Sequence, residues 1–175
     1  MAFADPRLNL QRLNLVPGQT VADFGAGSGA YALAAAELVG PTGRVYAVEI
    51  QSGLLEVIKR AAIERGLNNL ELVWGDIERA GGAGLADNLV DVVIVSNVLN
   101  QAKSRYTLAL EVKRLLKPGG RVAVIEWSGS FGGLGPTPAD IVLPETVKET
   151  FASAGLSFSA DFPAGDHHYG LIFVK

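Results

Sequence analysis

Near the start of the chain, an apolar strand contains an aspartate close to its end and is followed by three glycines. Residues 21–29 read Val-Ala-Asp-Phe-Gly-Ala-Gly-Ser-Gly, so that Asp23 stands beside Gly25, Gly27 and Gly29. Glycine lets the backbone bend sharply and approach a ligand closely, where a Cβ would clash. A strand, a glycine turn and a helix in that order present backbone N–H groups to a nucleotide-like ligand in parallel α/β sheets. The segment therefore predicts a site of this kind.

The glycine spacing alone leaves the nucleotide open. Gly25, Gly27 and Ala30 satisfy the loose dinucleotide pattern G-x-G-x-x-G/A, which is a weak signal. Glu49 ends the next apolar strand, 20 residues after Gly29, where an acidic residue is expected to bind a ribose. NAD and S-adenosylmethionine both contain adenosine, so Glu49 fits either of them.

Two further carboxylates separate these ligands. Asp23 lies at the end of the first strand, where a buried anion would repel a pyrophosphate but attract the ammonium and sulfonium groups of S-adenosylmethionine. Asp76 follows a third strand and is placed to accept a hydrogen bond from the adenine amino group. Together, Asp23, Glu49 and Asp76 favour the sulfonium cofactor.

Four segments resemble the successive motifs of class I S-adenosylmethionine-dependent methyltransferases. They are residues 23–29, Val48-Glu49, Gly75-Asp76 and residues 116–121, in the order and at the spacing of that family. The resemblance runs from about residue 16 to the C-terminus. Within the family, residues 134–138 and His168-Tyr169-Gly170 are most similar to the small-molecule branch of ubiquinone/menaquinone-type methyltransferases.

This resemblance implies S-adenosylmethionine as cofactor and methyl transfer to a small or medium-sized acceptor at O, N or C. It also implies roles for single residues. Asp23 would help to hold the ammonium group, Glu49 would take both ribose hydroxyls, and Asp76 with the Ile77 N–H would read the adenine edge. The predicted cofactor-binding set is Asp23, Gly25, Ala26, Gly27, Glu49, Ile50, Asp76, Ile77 and Asn97.

A catalytic base is the least determined part of the site. An oxygen or activated carbon nucleophile must lose a proton, and histidine suits that task at neutral pH. His167 and His168 are the only histidines, and both fall in a turn predicted at the mouth of the site. They are the candidate catalytic residues, as a general base or as ligands of the substrate. A metal site would need a further carboxylate beside them, for which Asp166 is the obvious neighbour, and we expect none.

Composition excludes several classes of protein. A net charge of −3 and a pI near 5.4 argue against a nucleic-acid partner. The chain contains no cysteine, which excludes disulfides, cysteine-ligated metals and a cysteine-dependent methyl acceptor scheme, such as arsenic methylation, within it. Residues 1–7 lack the pattern of a signal peptide, and no apolar run reaches the roughly 18 residues that span a bilayer. We expect a cytoplasmic protein without membrane insertion.

The alternation of strands and helices predicts one α/β domain over residues 1–175. Its parts are an N-terminal helix (1–18), a cofactor-binding half (19–127) and an acceptor-side half (128–175). The fold class is a doubly wound, mostly parallel seven-stranded sheet with an antiparallel last strand and helices on both faces. Strands are predicted at 20–24, 44–49, 70–74, 89–95, 121–127, 156–162 and 168–174. About five residues join the last two strands, too few for a crossover helix, so these strands must form an antiparallel hairpin.

Two departures from the family shape the expected substrate. The fourth strand ends in Ser96-Asn97-Val98-Leu99 and not in the Asn/Asp-Pro-Pro-Tyr/Phe of many amino methyltransferases, which disfavours DNA bases and protein glutamine. Segments that build an acceptor lid in small-molecule members are short here. The alternatives are a site that is open, one that a homodimer contact or a partner subunit closes, and one suited to a bulky acceptor. The alternative functions are an NAD(P)-dependent oxidoreductase and a non-catalytic S-adenosylmethionine-binding subunit.

Overall fold

One twisted sheet of seven strands forms the centre of the molecule, in the order β3-β2-β1-β4-β5-β7-β6. The computed structural model describes residues 4–131 and 133–175. Strands β1 to β5 are parallel to one another, and β7 is antiparallel to both of its neighbours, β5 and β6. This arrangement confirms the predicted doubly wound sheet with a reversed last strand.

The helices and strands alternate along most of the chain. In chain order they are α1 (Pro6–Gln11), β1 (Thr20–Phe24), α2 (Ala30–Val39), β2 (Arg44–Glu49), α3 (Ser52–Glu64), β3 (Leu70–Trp74), β4 (Val90–Ser96), α4 (Arg105–Leu115), β5 (Leu116–Trp127), α5 (Pro144–Ser153), β6 (Ser157–Pro163) and β7 (His168–Val174).

Two hydrophobic cores cover the two faces of the sheet. One core packs α1, α2 and Ile58 of α3 against the side chains of Val21, Val45 and Val92. The other packs α4 and α5 against the opposite face, where Phe151 and Phe173 stack with ring centroids 4.8 Å apart. Because both faces are covered, β4 is apolar almost throughout, as a strand between two layers of helices must be.

The polar residue within β4 is explained by its partners. Asp91 accepts a hydrogen bond from the Thr20 N–H at 2.8 Å and another from the Lys117 ammonium group at 2.8 Å. It therefore joins the start of β1 to the start of β5 at the end of the sheet opposite the glycine turn.

The largest difference from the sequence prediction concerns β5. The expected strand covers 121–127, after a Lys-Pro-Gly-Gly turn, whereas β5 begins at Leu116 directly after α4. The turn residues are held in the sheet because the Gly119 N–H donates to the carbonyl of Lys175 and the Lys175 N–H donates to the carbonyl of Gly120. A register shift between Val90 and Val92 absorbs the irregular segment.

The N-terminal segment contains a shorter helix than the predicted span of 1–18. Helix α1 covers Pro6–Gln11, and the Asp5 carboxylate caps it by accepting the N–H groups of Arg7 and Leu8. Residues 1–3 lie outside the described part of the chain, and so does residue 132 in the predicted acceptor-side half. In the described ranges, no helix has the length and apolar character needed to cross a membrane.

Candidate functional site

A cavity of about 500 Å³ lies at the carboxyl ends of β1, β2, β3 and β4. This is the edge at which open α/β sheets bind ligands. The loops that follow these strands form its walls, together with the first turn of α2. The parallel order β3-β2-β1-β4 thus brings together residues that are far apart in the chain.

The glycine turn after β1 forms the floor of the cavity. The N–H groups of Gly25 and Ala26 both donate to the carbonyl of Val48, at 2.9 and 3.1 Å, which fixes the turn against β2. Gly25 has a φ of +66°, and a Cβ there would lie 2.8 Å from Cγ2 of Val98. A side chain at position 25 would therefore strain the backbone and displace the loop after β4.

Glu49 joins the turn to the end of β2. Its Oε2 accepts the Gly27 N–H at 2.9 Å and its Oε1 accepts the Gln51 N–H at 2.9 Å, while the side chain is buried. A carboxylate offers about four lone-pair positions. Each oxygen of Glu49 can thus accept one further hydrogen bond from a ligand in the cavity.

Asp23 is buried beneath the same turn, with 2% of its surface exposed. Burial raises the pKa of its carboxyl to about 7, the N–H of Ala32 lowers it, and the nearby charge of Glu49 raises it again. Its Oδ2 is buried and has no hydrogen-bond partner among the described residues. A charged Asp23 is therefore a strong attractor for a cation at the cavity floor.

Asp76 stands on the wall formed after β3. Its Oδ1 accepts the N–H of Glu78 at 3.0 Å, and its own N–H donates to the carbonyl of Gly82 at 3.0 Å. Gly75 is required beside it, because a Cβ there would lie 2.7 Å from the Gly82 oxygen. The loop at 81–83 therefore supports the position of Asp76.

The opposite wall is the loop after β4. Asn97 adopts a φ of +56°, its N–H donates to the carbonyl of Ile125, and its carbonyl accepts from the Gln101 side chain at 3.1 Å. Val98, Gln101 and Ala102 also line the cavity. The loop folds back over the glycine turn, where Val98 meets Gly25.

All nine residues predicted to bind a cofactor line this cavity. They are Asp23, Gly25, Ala26, Gly27, Glu49, Ile50, Asp76, Ile77 and Asn97. The structure thus brings the predicted set together, and their individual contacts with a ligand stay predictions.

The two predicted catalytic histidines lie elsewhere, and neither lines the cavity. His168 opens β7 opposite Trp127 and packs against its ring, with centroids 4.2 Å apart, while His167 stacks on Phe131 at 4.1 Å. Burial lowers the pKa of His168, and the neighbouring His167 lowers it further. The imidazole of His168 is therefore neutral at pH 7.

Tyr31 is a cavity residue that the predicted cofactor-binding set does not include. Its hydroxyl accepts a hydrogen bond from the Asn9 amide at 2.9 Å, and the same amide donates to the carbonyl of Ala164 at 3.0 Å. Its position in the first turn of α2, two residues after Gly29, is the one signal in the sequence that could have identified it.

Comparisons with known proteins agree with this geometry. Residues 15–163 match the family model described as a methyltransferase domain. A demethylmenaquinone methyltransferase from Geobacillus sp. is 32% identical over 119 residues, which are 68% of this chain and 50% of the relative. An arsenite methyltransferase from Halobacterium salinarum is 34% identical over 110 residues, 63% of this chain and 27% of that relative.

A solved structure is also similar along nearly the whole chain. The crystal structure of a SAM-dependent methyltransferase from Aquifex aeolicus superposes with a TM-score of 0.88 at 26% identity, covering 97% of this chain and 89% of the other. The chain spans about half the length of the demethylmenaquinone methyltransferase that it matches. From the family match, the chain belongs to the methyltransferase domain family, and its seven-stranded sheet is similar to the fold of a class I S-adenosylmethionine-dependent methyltransferase.

Proposed function

We propose that this chain binds S-adenosylmethionine in the cavity described above and transfers its methyl group to a small or medium-sized acceptor at O, N or C. The charge of the cavity carries the proposal. Among the described lining residues, four are acidic (Asp23, Glu49, Asp76 and Glu78) and none is basic. Such a lining attracts a cationic ligand and repels a pyrophosphate.

The residues present fit this cofactor. The unpartnered Oδ2 of Asp23 is placed for an ammonium group, and the remaining lone pairs of Glu49 are placed for ribose hydroxyls. Asp76 and the Ile77 N–H offer an acceptor and a donor to the adenine edge. When bound, S-adenosylmethionine supplies an electrophilic methyl group on its sulfonium. The contribution of the chain is to bind, orient and exclude water, and such positioning can supply most of the acceleration.

The oxidoreductase alternative is not supported. The family match is to a methyltransferase domain, and the acidic cavity opposes a dinucleotide. The lack of cysteine also means that this chain brings no thiolate of its own to methyl transfer. The names of the two relatives point to small acceptors, and we extend that property to this chain as part of the proposal.

The acceptor would lie beyond Asn97, toward the end of β5 and the start of β7. Trp127, Phe131, His167 and His168 gather there, and apolar side chains at Leu134 and Leu143 are exposed nearby. We propose that a second copy of the chain or a partner subunit closes this side. We also propose a cytoplasmic location. We propose no nucleic-acid partner, because the net charge of the chain is −3.

Ligand-dependent stability tests the cofactor. We expect S-adenosylmethionine and S-adenosylhomocysteine, but not NAD or NADPH, to raise the melting temperature by roughly 5–10 °C at 100 times the dissociation constant. Glu49→Ala and Asp76→Ala should each abolish most of the shift, because each removes a predicted ligand contact. A shift with the nicotinamide cofactors alone would contradict the proposed function.

The titration of Asp23 gives a second prediction. Because its pKa is about 7, the carboxyl is charged at pH 8 and mostly neutral at pH 6. We expect S-adenosylmethionine to bind more weakly at pH 6, and Asp23→Asn to bind weakly at both values, as measured by isothermal titration calorimetry. Neutral 5′-methylthioadenosine is the control, since it has no cation to meet Asp23 and should respond less to this substitution. Equal losses for both ligands would show that Asp23 does not act through charge.

The histidines are proposed as acceptors of the substrate proton, and their replacement tests that role. If one acts as general base, His168→Ala or His167→Ala should lower kcat by about 100-fold while the affinity for S-adenosylhomocysteine is unchanged. Full turnover in both variants would remove the histidines from the mechanism.

A further inference from the structure

Glu126 is a buried carboxylate that the proposed chemistry does not use. It is the penultimate residue of β5, and 1% of its surface is exposed. It does not line the cavity. Its side chain lies on the face of the sheet covered by α4 and α5, as shown by its neighbours Val122 and Val124 in that core. A charged carboxylate in such a place needs hydrogen bonds or an ion pair to offset the cost of burying its charge.

The contacts of Glu126 point toward the cavity wall. Its Oε1 accepts the N–H of Leu99 at 2.7 Å, which is short for such a bond and typical of a charged acceptor. The N–H of Val98 also interacts with this carboxyl. Leu99 and Val98 belong to the loop after β4, and Val98 is the residue that meets Gly25.

We propose that Glu126 is a positioning residue whose carboxylate holds residues 97–102 in the place that completes the cavity, so that cofactor affinity depends on this bond. The inference rests on the proposed function, because it concerns the same cofactor. Asn97, Val98 and Gln101 of this loop line the cavity, whereas Glu126 does not line it and contacts the loop from the other side. The loop must be held from behind.

Few charges surround Glu126. Arg105 of α4 approaches the carboxyl and donates from Nε to the carbonyl of Leu99 at 2.8 Å, and Tyr169 of β7 lies opposite in the sheet register. The hydroxyl of Tyr169 donates to the carbonyl of Val142, so it is not engaged as a donor to Glu126. The second oxygen, Oε2, is buried without a hydrogen-bond partner among the described residues.

This environment makes the bond sensitive to pH. Burial raises the pKa of Glu126 to about 7, while the N–H groups of Leu99, Val98 and Trp127 and the charge of Arg105 oppose the rise. Above pH 7 the charged carboxylate holds the loop by charge-assisted hydrogen bonds, which are about twice as strong as neutral ones. Below pH 7 the neutral acid holds it more weakly.

Glu111 of α4 provides a matched control. It is also buried and supports the other wall, since its oxygens accept the N–H groups of Gly81 and Ala83 beside the carbonyl that holds Asp76. Burial raises its pKa, but hydrogen bonds from Arg114, Gly81 and Ala83 outweigh this, and its pKa is lowered overall. Glu111 therefore stays charged between pH 6 and 8.

The experiment measures binding of 5′-methylthioadenosine and S-adenosylhomocysteine by isothermal titration calorimetry at pH 6 and 8. We expect the wild type to bind the neutral 5′-methylthioadenosine severalfold more tightly at pH 8. Glu126→Gln should bind it about tenfold more weakly than the wild type at pH 8, or about 1.4 kcal/mol, and should lose the difference between the two pH values. Glu111→Gln should keep that difference, whatever its affinity.

Stability separates positioning from a role in the fold. The raised pKa means that the Glu126 carboxyl favours folding below its ordinary pKa of 4.5, and this contribution is lost as the pH rises to about 7. Glutamine has no such loss, so Glu126→Gln should be at least as resistant to urea as the wild type at pH 8. Weaker binding by a variant that is equally stable is a result that a purely structural role would not give.

A measurement on the wild type alone keeps the proposal testable if the variant fails to fold. Hydrogen exchange at the Leu99 amide, corrected for the intrinsic pH dependence, should be slower at pH 8 than at pH 6. The absence of binding of either ligand to the wild type would contradict the proposed function and this inference with it. Binding by the wild type, with the same affinity and pH dependence in Glu126→Gln, would contradict only the role of Glu126.

Discussion

Hydrogen bonds from backbone N–H groups to buried carboxylates hold the carboxyl edge of this sheet together. The loops that follow the strands there leave some backbone N–H groups without a backbone partner, and an unpaired buried N–H is costly. Three glutamates meet this requirement, one at the floor of the cavity and one behind each of its two walls. The carboxylate of Glu49 accepts the N–H of Gly27, that of Glu111 accepts the N–H of Ala83, and that of Glu126 accepts the N–H of Leu99.

These three contacts give the cavity its shape, and one of the three glutamates also contributes to its charge. Glu49 reaches the cavity itself, whereas Glu111 and Glu126 act from behind their walls. Asp23 adds a fourth buried carboxyl beneath the glycine turn. Carboxylates brought this close, with no basic residue in the described lining, leave a site that a cationic ligand stabilises and an anionic ligand does not.

The cofactor half of the site could be predicted because its signals are local in the sequence. A glycine turn, a strand that ends in Glu49 and a loop that begins with Asp76 can each be recognised without knowing their neighbours, and the parallel sheet then places them at one edge. Glu126 could not be identified in this way, since its partner Leu99 lies 27 residues earlier, in the loop after β4. The early start of β5 was missed for the same reason, because its partner Lys175 is the last residue of the chain.

The acceptor half depends on packing that sequence patterns do not encode. Gly135 has a φ of +79°, and a Cβ there would lie 2.8 Å from the ring of Trp127, so the loop after β5 lies directly on that ring. His168 packs against Trp127 as well. The strand order alone predicts the two histidines at the mouth of the site. It does not show that the ring of His168 packs against Trp127 or that the ring of His167 stacks on Phe131.

A crystal structure of the chain with S-adenosylhomocysteine tests the central claim most directly. The account predicts the ribose hydroxyls on the carboxylate of Glu49, the adenine amino group on Asp76 and the amino-acid end beside Asp23, with the loop 97–102 in its present position. A ligand bound outside this cavity, or with its ribose away from Glu49, would contradict it.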